Sequence, residues 1–426
     1  MVKYRILLVG DSPAIPTGYG VQLKELGKRF LEQGNEVIYF DTSFPMDKKK
    51  GEIYKLDQFL TEYFNREVKE IEFPFIDVRD ELKNALITFK NTDEPFPFKQ
   101  IQEIVEKTQS DCYIVVKDLN NYPDNLKLNI PSISWCPLDC FPISPSILSK
   151  LKLFSKVISI SEYGKKEMIK YGYDVDFISH SLNTTIIDEI NKKDRNFYRD
   201  KYGIPKDKFV VGIIASNTES NNRKGWNWML DAFKTFNEKY NDTYLFINTN
   251  LDGTTDSLKT LKNQIGLDLY RYMNIINLKN WIGIPEKKYR KYSQKEIYEQ
   301  MKCFDVLLST SRGEGCSVCL LESQLLNIPV ITSDFTAMSE NCMNGILIPP
   351  YCLEYKMTGS YHCIPDIKKI PDALEEIYLN PDEYDRKDIV EKIKRNTDYK
   401  VNGDKFLLLI DELITDYKIN MRKLKS

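Results

Sequence analysis

Gly313-Glu314-Gly315-Cys316-Ser317-Val318-Cys319-Leu320-Leu321-Glu322 follows Phe304-Asp305-Val306-Leu307-Leu308-Ser309-Thr310, an apolar run with the length and composition of a buried strand. The polar turn Ser311-Arg312-Gly313-Glu314-Gly315 separates that run from a helix for which Ser317 is the expected cap. Val318, Leu321 and Leu325 recur at helical spacing and mark its inward face. Glu322 shares that face, and a carboxylate there is desolvated at considerable cost unless something hydrogen-bonds it. Glu314 sits in the turn before the helix, where backbone N–H groups lack partners and favour an anion. A phosphorylated, hydroxyl-rich ligand at the helix N-terminus, with a carboxylate at each end, accounts for all three features.

Glu314 and Glu322, within Ser-x-x-Glu-Gly…Leu-Leu-Glu, resemble the Glu-x7-Glu motif of the retaining GT-B glycosyltransferases of family 4, the group 1 transferases. The resemblance implies an α/β GT-B fold: two Rossmann-like doubly wound domains with an interdomain cleft. The expected boundaries are 1–183 for an N-terminal, acceptor-side domain and 184–403 for a C-terminal, donor-side domain. Helix 404–426 is expected to pack back onto the first. The resemblance also implies that Glu314 approaches the donor sugar and that Glu322 binds the ribose hydroxyls. Gly315, Cys316 and Ser317 would then present the helix N-terminus to the donor phosphates.

Composition narrows the class. A chain of 426 residues exceeds one typical core. Sixty basic against 62 acidic residues, net −2, provide no general attraction to nucleic acid. No apolar run reaches the roughly 18 residues of a membrane span, and the apolar part of the N-terminus is too short for a signal peptide. Nine cysteines, an odd number scattered through a large chain, fit a reducing, cytoplasmic setting. His180 and His362 are the only histidines, which argues against Ser-His-Asp catalysis and excludes a His-rich metal site. Cys316 and Cys319 have CxxC spacing without a second pair and are expected as packing residues.

Tyr4–Val9 reads as a buried strand, followed by a loop to Gly20, a helix from about Val21 to Gln33, and a strand from Glu36. This is a βαβ opening of a doubly wound domain, without the GxGxxG or Walker spacing. Gly18, Tyr19 and Gly20 close the loop; the glycines permit a ligand close to the backbone, or simply a turn. In the resembled family this loop faces the donor. Residues 41–110 are expected to hold helices and an irregular insertion. Cys112–Val116 and Ser132–Trp135 are the next strands, and Asp139 lies beyond the second, where open α/β sheets place ligand groups. It is a candidate catalytic residue or a turn former between Pro137 and Pro142. Ser161 is expected to cap a helix after Lys156–Ile160. Phe177–Asn183 resembles the family's hinge. Asp174 and Asp176 have Asp-x-Asp spacing but precede that hinge, so no metal site is assigned.

The second domain opens at Phe209–Ile214, followed by a polar loop to Gly225 and a helix with Trp226, Met229, Leu230 and Phe233 at i, i+3, i+4, i+7. Lys224-Gly225 resembles the second half of the family's "Gly-Arg…Lys-Gly" diphosphate site. The upstream Arg is absent, Thr218 or Glu219 standing in its register, so Arg223 or Asn217 would take its place. Ser293 and Glu296 are spaced as a capping box. Asn327 stands where the family has Gly, and Phe335–Glu340 lacks the glycines usual there. The amphipathic stretch Phe406–Lys425 ends in a basic tail able to touch anionic lipid.

The expected activity is metal-independent transfer of a sugar from a UDP- or GDP-linked donor to a glycan, lipid or protein acceptor, with retention and with no cofactor beyond the donor. The rival expectations are a nucleotide-sugar epimerase on the same fold and a non-catalytic nucleotide- or sugar-binding subunit.

Overall fold

The computed structural model describes residues 4–14, 17–42, 56–71, 86–90, 100–216, 222–249, 273–277 and 293–425. They divide into two compact units. The first comprises 1–138, 143–182 and 397–426; the second comprises 139–142 and 183–396. The changeovers therefore fall at 182/183 and 396/397, against the expected 183/184 and 403/404, and the four residues around Asp139 group with the second unit.

In the first unit the described elements are β1 (Arg5–Gly10), α1 (Gly18–Glu32), β2 (Glu36–Asp41), α2 (Leu56–Phe64), β3 (Val68–Ile71), β4 (Leu86–Lys90), α3 (Gln100–Thr108), β5 (Cys112–Val116), β6 (Ser132–Cys136), α4 (Pro145–Leu151), β7 (Lys156–Ser159), α5 (Glu162–Ile169) and β8 (Val175–Phe177). The strands form one parallel sheet in the order β3-β4-β2-β1-β5-β6-β7-β8. The stretch expected as helices and insertion thus contains β3 and β4, which extend the sheet beyond β2. Their sequences, Val68-Lys-Glu-Ile and Leu86-Ile-Thr-Phe-Lys, are too short for periodicity to separate strand from helix. Ser161 caps α5 as expected, its side chain accepting from Gly164 N at 3.0 Å. Lys156 holds both Asp174 (2.5 Å) and Asp176 (3.1 Å), which accounts for that acidic pair structurally. His180 is buried edge-on to Trp135 (5.6 Å between ring centroids), and burial pushes its imidazole down to about 3.

The second unit holds α6 (Thr184–Asn191), α7 (Arg195–Tyr202), β9 (Phe209–Ile214), α8 (Trp226–Lys239), β10 (Thr243–Thr249), β11 (Met273–Asn277), α9 (Gln294–Met301), β12 (Val306–Ser309), α10 (Val318–Leu325), β13 (Val330–Ser333), α11 (Ala337–Asn341), β14 (Gly345–Ile348), β15 (Pro350–Lys356), β16 (Ser360–Pro365), α12 (Lys369–Leu379) and α13 (Lys387–Thr397). Its parallel sheet runs β11-β10-β9-β12-β13-β14, with β15 and β16 as a separate antiparallel hairpin. Trp226, Met229, Leu230 and Phe233 pack against Val211, Ile213, Leu245 and Ile247, the core face that their helical spacing indicates. The capping box of Ser293 and Glu296 is present. Asn327 adopts φ 59, the left-handed conformation that Asn tolerates.

The last helix, α14 (Tyr399–Lys425), groups with the first unit and begins before the expected start at 404. Arg29 donates through Nε and Nη2 to both carboxylate oxygens of Asp404 at 2.8 Å, and Phe406 packs against Trp135 at 4.9 Å. Among the described residues no helix is long and apolar enough to cross a membrane.

In both sheets chain order switches direction beside the unit's first strand, between β1 and β5 and between β9 and β12. Ligand sites of open α/β sheets lie beyond the carboxyl ends of the strands at such a reversal. In the second unit the described residues there are 215–216, 222–225 and 310–317, which include Lys224 and Glu314.

Gln324 fastens α10 to α11 and to the turn before β14. Its amide nitrogen donates to Leu320 O and Asn341 O (both 2.7 Å), and its oxygen accepts from Met343 N and Asn344 N (both 2.8 Å). Gln324→Leu leaves those backbone donors without a partner. The expected cost is roughly 2–4 kcal/mol, read from the midpoint of urea unfolding.

Candidate functional site

The loop after β9 ends in a tight turn. Asn222 (φ 49) accepts from Trp226 N at 2.8 Å, and Gly225 takes φ 75 immediately before α8. A Cβ at Gly225 would meet the Thr310 carbonyl oxygen at 2.6 Å as well as the Trp228 ring, so conformation and space both require glycine. Trp228 Nε1 donates to Thr310 O (3.0 Å), and Arg312 N donates to Arg223 O (2.8 Å), stitching the two loops together. Gly313 passes against the Asp139 backbone, where a side chain would collide with the Asp139 carbonyl.

These contacts bring Lys224 and Arg223 onto Glu314. Lys224 Nζ lies 2.5 Å from Glu314 Oε1, and Arg223 Nη1 lies 3.0 Å from Oε2 while also donating to Gly313 O at 3.0 Å. Glu314 is only 8% exposed. Burial pushes its carboxyl up, but Arg223 and Lys224 outweigh burial and hold it at about 2. Both cations expected to face a diphosphate are thus engaged with Glu314 here. Arg223 stands in the cluster from its own position, and Asn217, the other candidate for that role, lies outside the described residues.

Ser317 occupies the N-cap position of α10, but in the left-handed conformation (φ 57, ψ 69) and without a side-chain cap bond. This corrects the expected capping role. Its Oγ lies 3.6 Å from Cys319 Sγ instead. Cys316 is buried, its carbonyl accepting from the Asn341 side chain, and the described cysteines form no disulfide. Glu322 is 7% exposed and accepts from Gln294 Nε2 (2.9 Å) and Tyr298 OH (3.1 Å), both on α9. These are the partners that an inward carboxylate requires.

Asp139 keeps 38% of its side chain exposed, with Oδ2 3.8 Å from His362 Nε2. Burial pushes the His362 imidazole down to about 4, and Lys356, Arg223 and Arg312 act in the same direction. At neutral pH an uncharged ring therefore faces the carboxylate. His362 belongs to the β15–β16 hairpin, which also pairs Tyr361 with Phe141 and supplies Glu354 to Arg312.

In the first unit α1 begins at Gly18 rather than near Val21. Thr17 is its cap, accepting from Gly20 N at 3.0 Å and donating to Asp11 at 2.8 Å. Gly18, Tyr19 and Gly20 therefore form the first helical turn, neither glycine has positive φ, and the position of a Gly18 Cβ is open. The loop reading overlooked Thr17, whose hydroxyl three residues before Gly20 is an N-cap signal.

The structure brings Arg223, Lys224 and Glu314 together, sets Glu322 on the helix just beyond them, and places Asp139 against Gly313. Gln294, Tyr298, His362, Asn341 and Thr336 complete the surroundings; of these only His362 was singled out from sequence, as one of two histidines, and not for this place. Thr336 Oγ1 accepts from Glu314 N at 3.2 Å. Gln294 and Tyr298 carried a signal of their own: Ser293–Glu296 starts a helix that puts residues 294 and 298 one turn apart on one face.

Residues 208–356 match the family model described as glycosyl transferases group 1. Among curated proteins none matches the chain. Among solved structures, a glycosyltransferase from Rickettsia africae ESF-5 is similar over 97% of this chain and 99% of its own, with 15% identity and TM-score 0.66. Sucrose-phosphate synthase from Thermosynechococcus elongatus aligns over 97% and 100%, with 12% identity and TM-score 0.69. HepE of Anabaena, solved with UDP and glucose, aligns over 96% and 100%, with 14% identity and TM-score 0.64. At such identities the structural likeness is one of fold. Together these findings give the chain the GT-B fold and place a match to the group 1 glycosyl transferase domain within its second unit.

Arg223 and Lys224 favour the ionised form of the Glu314 carboxyl. Its folded-state value lies below the ordinary 4.5, so the stability it contributes is present above pH 4.5 and is lost as pH falls toward 2. Wild type is therefore expected to exceed Glu314→Gln in urea-unfolding stability near pH 6. By pH 3 that difference shrinks by roughly 2 kcal/mol.

Proposed function

We propose that the protein transfers a glycosyl group from a nucleoside diphosphate sugar, with retention at the anomeric carbon and without a divalent ion. The observation that carries this reading is the cluster of Lys224, Arg223 and Glu314 ahead of α10, at the sheet's reversal point. A diphosphate leaving group needs fixed positive charge where its own charge develops. Lys224, Arg223 and the N–H groups of Gly315, Cys316 and Ser317 are suited to supply it, the last three at the positive end of the helix dipole. Glu314 stands where an anion would be held. A bound diphosphate would take over the two cations and leave Glu314 to accept hydrogen bonds from the sugar hydroxyls. Glu322 would hold the ribose hydroxyls, exchanging its bonds from Gln294 and Tyr298.

In the step itself, the bond between the anomeric carbon and the β-phosphate oxygen breaks. The acceptor oxygen forms its bond to that carbon on the same face, and the departing phosphate oxygen takes the acceptor's proton. No protein nucleophile is required. Asp139, half-exposed beside Gly313, is a candidate to orient the acceptor hydroxyl. UDP- and GDP-linked sugars are the donors to try first, with glycans, lipids and proteins as acceptors.

The test is a transfer assay over that donor panel in EDTA, with the product's anomeric configuration read by proton NMR. Retention is expected. Glu314→Ala is expected to lower kcat by about a hundredfold or more while nucleotide affinity stays within about tenfold. An inverted product overturns the retaining mechanism, and wild-type turnover by Glu314→Ala overturns the role of that residue.

A further inference from the structure

Thr336 sits immediately before α11 with φ 54 and ψ −141. A β-branched residue is a genuine outlier at positive φ, whereas glycine enters that region at no steric cost. No glycine occupies positions 335–340. Something specific to a hydroxyl must therefore keep threonine in a conformation that it resists.

The side chain supplies the reason. Thr336 is 6% exposed, and its Oγ1 accepts from Glu314 N at 3.2 Å. The hydroxyl proton goes to Glu314 O at 2.9 Å or to Phe335 O at 2.7 Å. A single hydroxyl thus reaches both backbone polar groups of Glu314. That residue lies between Gly313 and Gly315, two neighbours without a Cβ to limit the local torsions. Asn341, five residues on, donates to the Cys316 carbonyl, so both ends of α11 grip the same loop.

The carboxylate of Glu314 is meanwhile held by Arg223 and Lys224. On the transferase reading above, on which this inference rests, those cations change partner when a diphosphate arrives. The side-chain clamp is then released at the moment when the carboxylate must be accurately placed. We infer that Thr336 is a positioning residue, whose hydroxyl fixes the Glu314 backbone while the side chain passes from its cations to the sugar. It touches neither sugar nor phosphate, and it acts only through Glu314.

Three variants separate positioning from packing. Thr336→Gly removes the hydroxyl and the backbone resistance together, Thr336→Ser keeps the hydroxyl, and Thr336→Val keeps the branched shape without it. The glycine variant is expected to unfold at a temperature equal to or above wild type and to bind UDP within about threefold. Its kcat is expected to fall about tenfold to a hundredfold, as for a displaced reacting group. The serine variant should retain kcat within about threefold, and the valine variant should lose both kcat and thermal stability. Hydrogen exchange supplies a readout independent of turnover. The Glu314 amide should be protected in wild type and Thr336→Ser and exchange at least about tenfold faster in Thr336→Gly. Wild-type turnover by Thr336→Gly, failure of Thr336→Ser to retain it, or joint loss of stability, UDP binding and turnover in Thr336→Gly each overturns the inference. If wild type turns over no nucleotide sugar, the transferase reading fails instead. The amide exchange then decides the tether alone, and equal protection in Thr336→Gly overturns it.

Discussion

The second unit depends on one electrostatic arrangement, a buried carboxylate held between two cations from a different loop. Glu314 can remain ionised at 8% exposure only because Arg223 and Lys224 approach it to 3.0 and 2.5 Å. Removing either partner of such a group leaves charge without compensation, which costs far more than the pair itself adds. The surrounding details serve to keep that contact. Gly225 lets the Lys224 turn lie against Thr310, Gly313 lets the Glu314 turn lie against Asp139, and Thr336 ties the Glu314 backbone from the side of α11. On the proposed reading, the same arrangement would let a site that balances one anion against two cations exchange that anion for a diphosphate.

Most of the architecture was legible in the sequence where apolar runs are long and bounded. Cys112–Val116 and Phe209–Ile214 form strands over the expected residues, and Trp226–Phe233 buries the face its spacing indicates. The reversal of chain order between β9 and β12 arises from alternating strands and helices and places the Lys224 and Glu314 loops side by side. Strands β3 and β4 escaped because four- and five-residue elements carry no usable period. The β15–β16 hairpin escaped because it is an exposed antiparallel ribbon, nearly unburied along β15, after a run of parallel strands.

At the site, Glu314, Glu322, Lys224 and Arg223 were legible because charged residues beside glycines or on apolar helix faces demand an explanation. Their partners were not. Thr336 lies 22 residues along the chain from Glu314, and Tyr298 and Gln294 lie 24 and 28 residues from Glu322. His362 reaches Asp139 from the separate hairpin, so only tertiary contact brings any of these side chains to the site. Ser317 shows the converse limit. Its place before a helix is a cap signal, yet its left-handed backbone leaves the hydroxyl beside Cys319.

The central claim is that the cations at the head of α10 form a nucleoside diphosphate site. The most direct measurement is calorimetric titration of UDP, GDP and ADP into wild type and Lys224→Ala, with and without EDTA. At least one diphosphate is predicted to bind wild type, unaffected by EDTA, and to lose about tenfold or more in affinity when Lys224 is replaced. Absence of binding at millimolar concentration, dependence on a divalent ion, or equal affinity in Lys224→Ala would contradict it.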